Sequence, residues 1–236
     1  NILEKLGYNI DHVDRDRKDT DSEKIIFINW YYSPKTIDTL NLKFSDKTKV
    51  IFYNIHLAVD TWRLDYVKNV FLKNEEIVSS FKRFEPIWCR DEHTKDLLIS
   101  EWFGAINNEC ITLLMDKRTP KQDKNAKKLI LVDVDEFIPM PKWFKKEDIE
   151  YKTQVSDEWI DLSNDEKINL SIEKLEYYKN NWKLIITSRF HCAMPCIAMW
   201  IPVVFLWDKN SKRCEWLWKY IKVYDYVHFW FRTKTQ

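Results

Sequence analysis

The chain has 236 residues and 45% hydrophobic content, enough for a real core in one large domain or two small ones. Its 38 Lys and Arg nearly cancel 37 Asp and Glu, and the net charge of +1 gives no global field that would recruit nucleic acid or an anionic membrane. The five cysteines, Cys89, Cys110, Cys192, Cys196 and Cys214, are odd in number and scattered, so no disulfide framework is expected and a reducing, cytoplasmic setting is.

No signal peptide or lipidation motif is recognisable, although the chain opens on Asn1. The longest apolar run, Ala193 to Leu206, is broken by Pro195 and Pro202 and falls short of the roughly 20 residues of a membrane span. Only two glycines occur, which excludes a glycine-rich phosphate loop. An anion must therefore be held by side chains and helix ends.

In chain order, Ile2 to Leu6 reads as the end of a helix closed by Gly7, and Asp11 to Glu23 as a charged connector. Ile25 to Ile28 and Val50 to Tyr53 are short β-branched runs of the buried parallel type. His56 follows the second of these, at a carboxyl edge, where it is either a capping or surface histidine or a substrate contact. Glu75 to Phe84 is an amphipathic helix with Ile77, Val78 and Phe81 on its apolar side. A third strand, Ile87 to Cys89, ends at Arg90, and Asp91 is placed to cap a helix from Glu92 to Phe103 that stops at Gly104. Leu97, Leu98 and Trp102 form the expected buried stripe of that helix. Arg90 is a cation at a strand-to-helix junction, open to an ion pair with a nearby acid or to an anionic ligand.

Ile111 to Leu114 reads as the last strand of a first half, and Lys117 to Lys128, with Pro120 and many charges, as a linker. The basic runs Lys121 to Lys128 and Lys142 to Lys146 are expected to be solvated loops. Leu129 to Val134 starts a second half. Ser163 and Glu166 have the spacing of a capping box for a helix to about Asn180, with Ile168, Ile172, Leu175 and Tyr178 inward.

The stretch from Trp182 to Leu206 then reads strand (Leu184 to Thr187), polar turn (Ser188 to His191), apolar helix (Ala193 to Trp200, with Pro195 in its first turn) and strand (Val203 to Leu206). The turn between two parallel strands lies at the carboxyl edge of the sheet, where open α/β sheets bind ligands, and a helix N-terminus there attracts anions. Arg189 and His191 add a permanent cation and a titratable imidazole. Cys192 and Cys196 sit in the apolar helix and read as buried small hydrophobes rather than zinc ligands. Beyond Leu206, Trp207, Trp216, Trp218 and Trp230 suggest an aromatic helix docking back on the first half, with a sugar-stacking platform as the alternative. The resulting division is 1–120, 121–206 and 207–236, hinged near Lys117 to Lys128.

Two segments carry a family resemblance. ITSRFHCAMPCIAMWIPVVF resembles the signature of the polysaccharide pyruvyl transferases, in which a strand ends in Ser/Met-Arg-x-His and an apolar helix leads to a Pro-Val strand. FEPIWCRDEHTKDLLISEWFG is similar to the family's Arg-Asp-Glu segment. The family's N-terminal Gly-Asn-x-Gly-Asp loop does not occur in this sequence, so contacts from it are not carried over. The resemblance implies an α/β fold of two Rossmann-like halves with parallel sheets, GT-B-like. It also implies transfer of a pyruvyl group from phosphoenolpyruvate to a saccharide as a pyruvate ketal, without metal or cofactor. His191 and Arg189 are then catalytic, and Arg90, Ser188, Phe190, Asp91 and His56 contact substrate. Two rival readings remain open. Asp133 and Asp135, with Glu136, could hold a divalent metal in a nucleotide-sugar glycosyltransferase, or the chain could be a non-catalytic carbohydrate-binding member of the same fold.

Overall fold

In the computed structural model, which describes residues 25–28, 31–32, 44, 46–57, 61–134, 138, 145–154, 161–207 and 212–224, every strand pairing is parallel. The chain divides into two units, Asn1–Glu109 and Cys110–Gln236. Both contain helices and parallel strands, and the fold is mixed α/β with parallel sheets, as in Rossmann-like folds. Among the described residues no helix is long and apolar enough to cross a membrane. The readings of Ile2 to Leu6, Asp11 to Glu23, Asp135, Glu136 and Trp230 fall outside the described residues.

In the first unit β1 (Ile25–Ile28) pairs with β3 (Lys49–Phe52), and β2 (Tyr31–Tyr32) with β4 (His56–Leu57). After α1 (Thr61–Asn69) and α2 (Glu75–Arg83), β5 (Ile87–Cys89) pairs with β6 (Ala105–Asn107) across α3 (Glu92–Ser100). Ile55 bridges to Cys89: its N–H donates to Trp88 O at 2.9 Å, and Arg90 N–H donates to Ile55 O at 2.8 Å. The helix α2 forms because Asn74 accepts from the amides of Glu76 and Ile77, acids fill its first turn, and Lys82 and Arg83 fill its last. It buries Ile77 and Phe81. The Phe81 ring packs against Phe52, Phe71 and Phe103 at centroid distances of 4.7, 5.9 and 5.8 Å. Truncating Phe81 to alanine would remove the centre of this cluster, at a cost of about 3–5 kcal/mol.

Asp91 caps α3 as its sequence position suggests, but the helix ends at Ser100 rather than Phe103. Phe103 N–H bonds back to Leu98 O and Trp102 N–H to Ile99 O, which turns the chain through a left-handed residue, Trp102 (φ 67°). Phe103 thereby takes the core position expected of Trp102, which is 87% exposed.

The second unit is a five-stranded sheet of β7 (Lys128–Val132), β8 (Ile149–Lys152), β9 (Trp182–Thr187), β10 (Val203–Leu206) and β11 (Val223–Tyr224). Their order in space is β8-β7-β9-β10-β11. The helices of this unit are α4 (Pro120–Asn125), α5 (Asn164–Asn181) and α6 (Phe190–Ala198). Alternate residues of β7 enter different cores: Ile130 and Val132 pack with Tyr178, Trp182 and Cys192, whereas Leu129 and Leu131 pack with Ile138, Ile186 and Leu206. A sheet covered on both faces explains why the strand reads as an unbroken apolar run.

Several expectations change here. Ile111–Leu114 is a 3-10 helix and not a strand. The charged stretch after Lys117 contains α4, with Pro120 at its start and a Thr119–Gln122 capping box, because proline suits the first turn and capping does not need an apolar stripe. The Ser163–Glu166 box starts α5 as expected, yet Ile168 and Ile172 are 38% and 54% exposed and only its last turns are covered. Tyr178 there stacks on Trp182 at 3.6 Å. The helix α6 begins at Phe190, so Pro195 lies inside it rather than in its first turn. Among the described residues of the aromatic tail, Lys212–Lys219 is a 3-10 helix rather than an α-helix, and Val223–Tyr224 adds the edge strand β11. Cys214, Trp216 and Leu217 pack with Phe190, Ala193, Met194 and Phe205, which draws this described part of the tail into the core of the second unit.

Candidate functional site

Numbered by chain order within the sheet, the second unit runs 2-1-3-4-5, so the order reverses between β7 and β9. At the carboxyl ends of these two strands lies the crevice in which open α/β sheets bind ligands. Four residues are drawn together there. The Thr187 hydroxyl donates to Val132 O at 3.1 Å and accepts from Arg189 N–H at 2.9 Å, tying the end of β9 to β7. Ser188 Oγ donates to Asp133 O at 2.7 Å. Asp133, in the left-handed region (φ 50°), turns its carboxylate to Arg189, whose Nε donates to Oδ2 at 2.9 Å. The end of β8 joins the same carboxylate: Thr153 Oγ1 donates to Oδ1 at 2.6 Å and Gln154 N–H to Oδ2 at 3.1 Å.

The Asp133 carboxyl is held below the usual carboxylate range. Burial alone pushes it up, and the hydrogen bonds from Thr153, Gln154 and Arg189, with the guanidinium charge, outweigh that. Arg189 is 48% exposed and is the N-cap residue of α6. Asp133 occupies one of the five guanidinium donors, and among the described residues no other partner meets them. Phe190 is buried, its ring 5.7 Å from that of Trp216, and anchors the first turn. His191 is exposed on the same turn. The arrangement presents a cation, an imidazole and a helix N-terminus to solvent, all fixed from behind by the sheet.

The first unit holds the other predicted residues. His56 is neither a surface nor a capping residue: it lies in β4, 2% exposed, with Nδ1 2.5 Å from Asp91 Oδ2. The second Asp91 oxygen accepts from Thr94 N–H at 2.8 Å, and Thr94 Oγ1 accepts from Leu57 N–H at 3.1 Å. Strand β4 and helix α3 are thus locked through one carboxylate. Burial pushes Asp91 up, but the hydrogen bond and charge of His56, the Thr94 amide and the Arg90 charge bring it below the usual range. Arg90 is itself buried, 7% exposed, at the end of β5. The neighbouring Cys89 thiol is pushed up by burial and by the Asp91 charge, and stays a protonated core side chain.

His56, Arg90 and Asp91 therefore form one cluster, and Ser188, Arg189 and His191 another, in different units. The sequence pattern did not reveal Thr187, Thr153 or Gln154, and it offered Asp133 only as a metal ligand. An aspartate directly after a buried strand and an arginine two residues after the end of its neighbour was the available signal. No group of three His, Cys, Asp or Glu side chains comes together among the described residues. Cys192 and Cys196 are both buried in α6, and burial followed by the Cys192 hydrogen bond pushes the Cys196 thiol well up.

No curated protein and no solved structure matches the chain. A family model described as polysaccharide pyruvyl transferase matches residues 1–210, which takes in both clusters.

Proposed function

The chain belongs to the polysaccharide pyruvyl transferase family, and on that premise we propose that it transfers the pyruvyl group of phosphoenolpyruvate to a pair of saccharide hydroxyls, forming a ketal. The observation that carries the reading is the state of Arg189. It is aimed through its Nε by Asp133, half exposed, and seated where a helix begins at the switch point of the sheet. Its remaining donors suit the carboxylate or phosphate of the donor substrate.

In this reaction C2 of the enolpyruvate forms two bonds to acceptor oxygens, and its bond to the phosphate oxygen breaks. The two hydroxyls lose two protons. One goes to the methylene carbon, which becomes a methyl group, and the other leaves with phosphate. Arg189 and the N-terminus of α6 stabilise the charge that collects on the departing phosphate. His191, exposed beside them, carries a proton to or from the reacting atoms, which an imidazole does well near neutral pH.

The test is incubation of the protein with phosphoenolpyruvate and a panel of saccharides, reading phosphate release and the mass of the sugar product. Phosphate release coupled to a pyruvylated sugar is expected. Turnover of a nucleotide-sugar that depends on a divalent ion and on Asp133, with no phosphate release, would refute the proposal.

A further inference from the structure

The helices α3 and α6 end alike. In each, the residue after the C-cap is a tryptophan in the left-handed conformation, Trp102 at φ 67° and Trp200 at φ 63°. Trp200 N–H bonds to Ile197 O and Ile201 N–H to Cys196 O, the same pair of bonds that closes α3. Glycine is the residue this position favours, because a Cβ is penalised there. An indole is doubly out of place, since both rings are also exposed, 87% for Trp102 and 66% for Trp200.

The two differ in what meets the ring. Lys117 Nζ sits 3.8 Å from the centroid of Trp200, a cation–π contact that occupies that face. Trp102 has no ring or cation partner among the described residues, while its main chain is fixed by a hydrogen bond from Lys82 Nζ to its carbonyl. Beside it lies a cavity of about 350 Å³ in the first unit. Phe103 supplies apolar lining, and Lys73, Lys82, Glu75 and Glu101 supply charge. Lys73 pairs with Glu101 at 3.2 Å, so the lining is electrically balanced. A polyanion or an anionic membrane finds no net attraction in such a site. A neutral sugar finds an aromatic face for its C–H surface and both donors and acceptors for its hydroxyls.

We infer that Trp102 and the adjoining cavity form a saccharide-binding subsite of the first unit that holds a neutral stretch of a glycan chain. The residue is then retained against its backbone preference for the sake of the ring. Replacement by glycine should stabilise the fold while it removes binding.

The test is affinity electrophoresis of the full chain through gels containing dextran, galactomannan or hydroxyethylcellulose, without phosphoenolpyruvate, so that failure of the pyruvyl-transfer reading leaves the result interpretable. At least one polymer should retard the protein. W102A and W102G should weaken that retardation by about tenfold, as for loss of an aromatic stacking contact. W200A should retain it. W102G should also raise the melting temperature, by about 2–4 °C. Absence of retardation by all three polymers, or retardation unchanged in W102A, overturns the inference. So does a Trp102-dependent self-association, or Trp102-dependent sedimentation with phosphatidylglycerol vesicles, since either would assign the ring to another occupant.

Discussion

Replacing Asp133 by asparagine separates what its charge does from what its shape does. Asparagine can keep the geometry: Oδ1 accepts from Arg189 and Gln154, and the amide group donates to the Thr153 hydroxyl. What is lost is the charge. Two unit charges about 4 Å apart attract by about 1 kcal/mol in water and about 4 kcal/mol at an effective dielectric of 20. With Arg189 48% exposed, the lower figure applies, so folding stability should fall by about 1 kcal/mol, or about 2–4 °C in melting temperature. Anion binding should move the other way. The lost carboxylate lies behind the guanidinium, roughly 7–8 Å from an anion on its far side, and its repulsion there is worth roughly 0.5–1 kcal/mol. Asp133→Asn should therefore bind phosphoenolpyruvate about two- to fivefold more tightly in calorimetry at low salt, with the gain fading as salt rises. Asp133→Ala removes the anchor as well and should bind more weakly than the unmutated chain. If Asp133→Asn abolished binding, the reasoning that Asp133 aims Arg189 rather than contacting the ligand or a metal would be refuted.

His191→Ala should leave donor binding largely intact while turnover falls by roughly 10² to 10⁴, measured as phosphate release under saturating donor. Asp91→Ala removes both the cap of α3 and the buried partner of His56, and should destabilise the chain by about 3–5 kcal/mol in urea denaturation. The acid limb of stability follows from Asp91 and Asp133, whose native pKa values are both lowered. Their contribution is fully present above the unfolded carboxyl value of about 4 and is lost as pH falls through the native values. Asp133→Asn should accordingly show a shallower loss of melting temperature below about pH 4 than the unmutated chain.

The strands with continuous apolar runs were legible in the sequence, because Val203–Leu206 and Lys128–Val132 pack against core on both faces and need no polar alternation. The strands β6 (AIN) and β8 (IEYK) were not. They are edge strands, half-exposed or exposed, and their chemistry resembles that of a loop. Capping boxes could be read at Ser163, where an apolar pattern followed, and went unread at Thr119, where none did. Arg189 and His191 stood out because residue type and position agreed: charge at a strand-to-helix turn. Asp133 was visible as an acid after a strand, but its partner is 56 residues away, and only the pairing of β7 with β9 makes them neighbours. Trp102 was placed in the core by helical spacing alone, which does not register that the chain turns left-handed one residue after the C-cap.

The central claim is that Arg189 holds the anionic donor at the switch point of the second unit. Calorimetric titration of phosphoenolpyruvate into the unmutated chain and into Arg189→Ala tests it most directly. The expected result is measurable binding to the former and a loss of about 2–5 kcal/mol in the latter, roughly 30-fold or more in Kd. Equal affinity for the two proteins would contradict it.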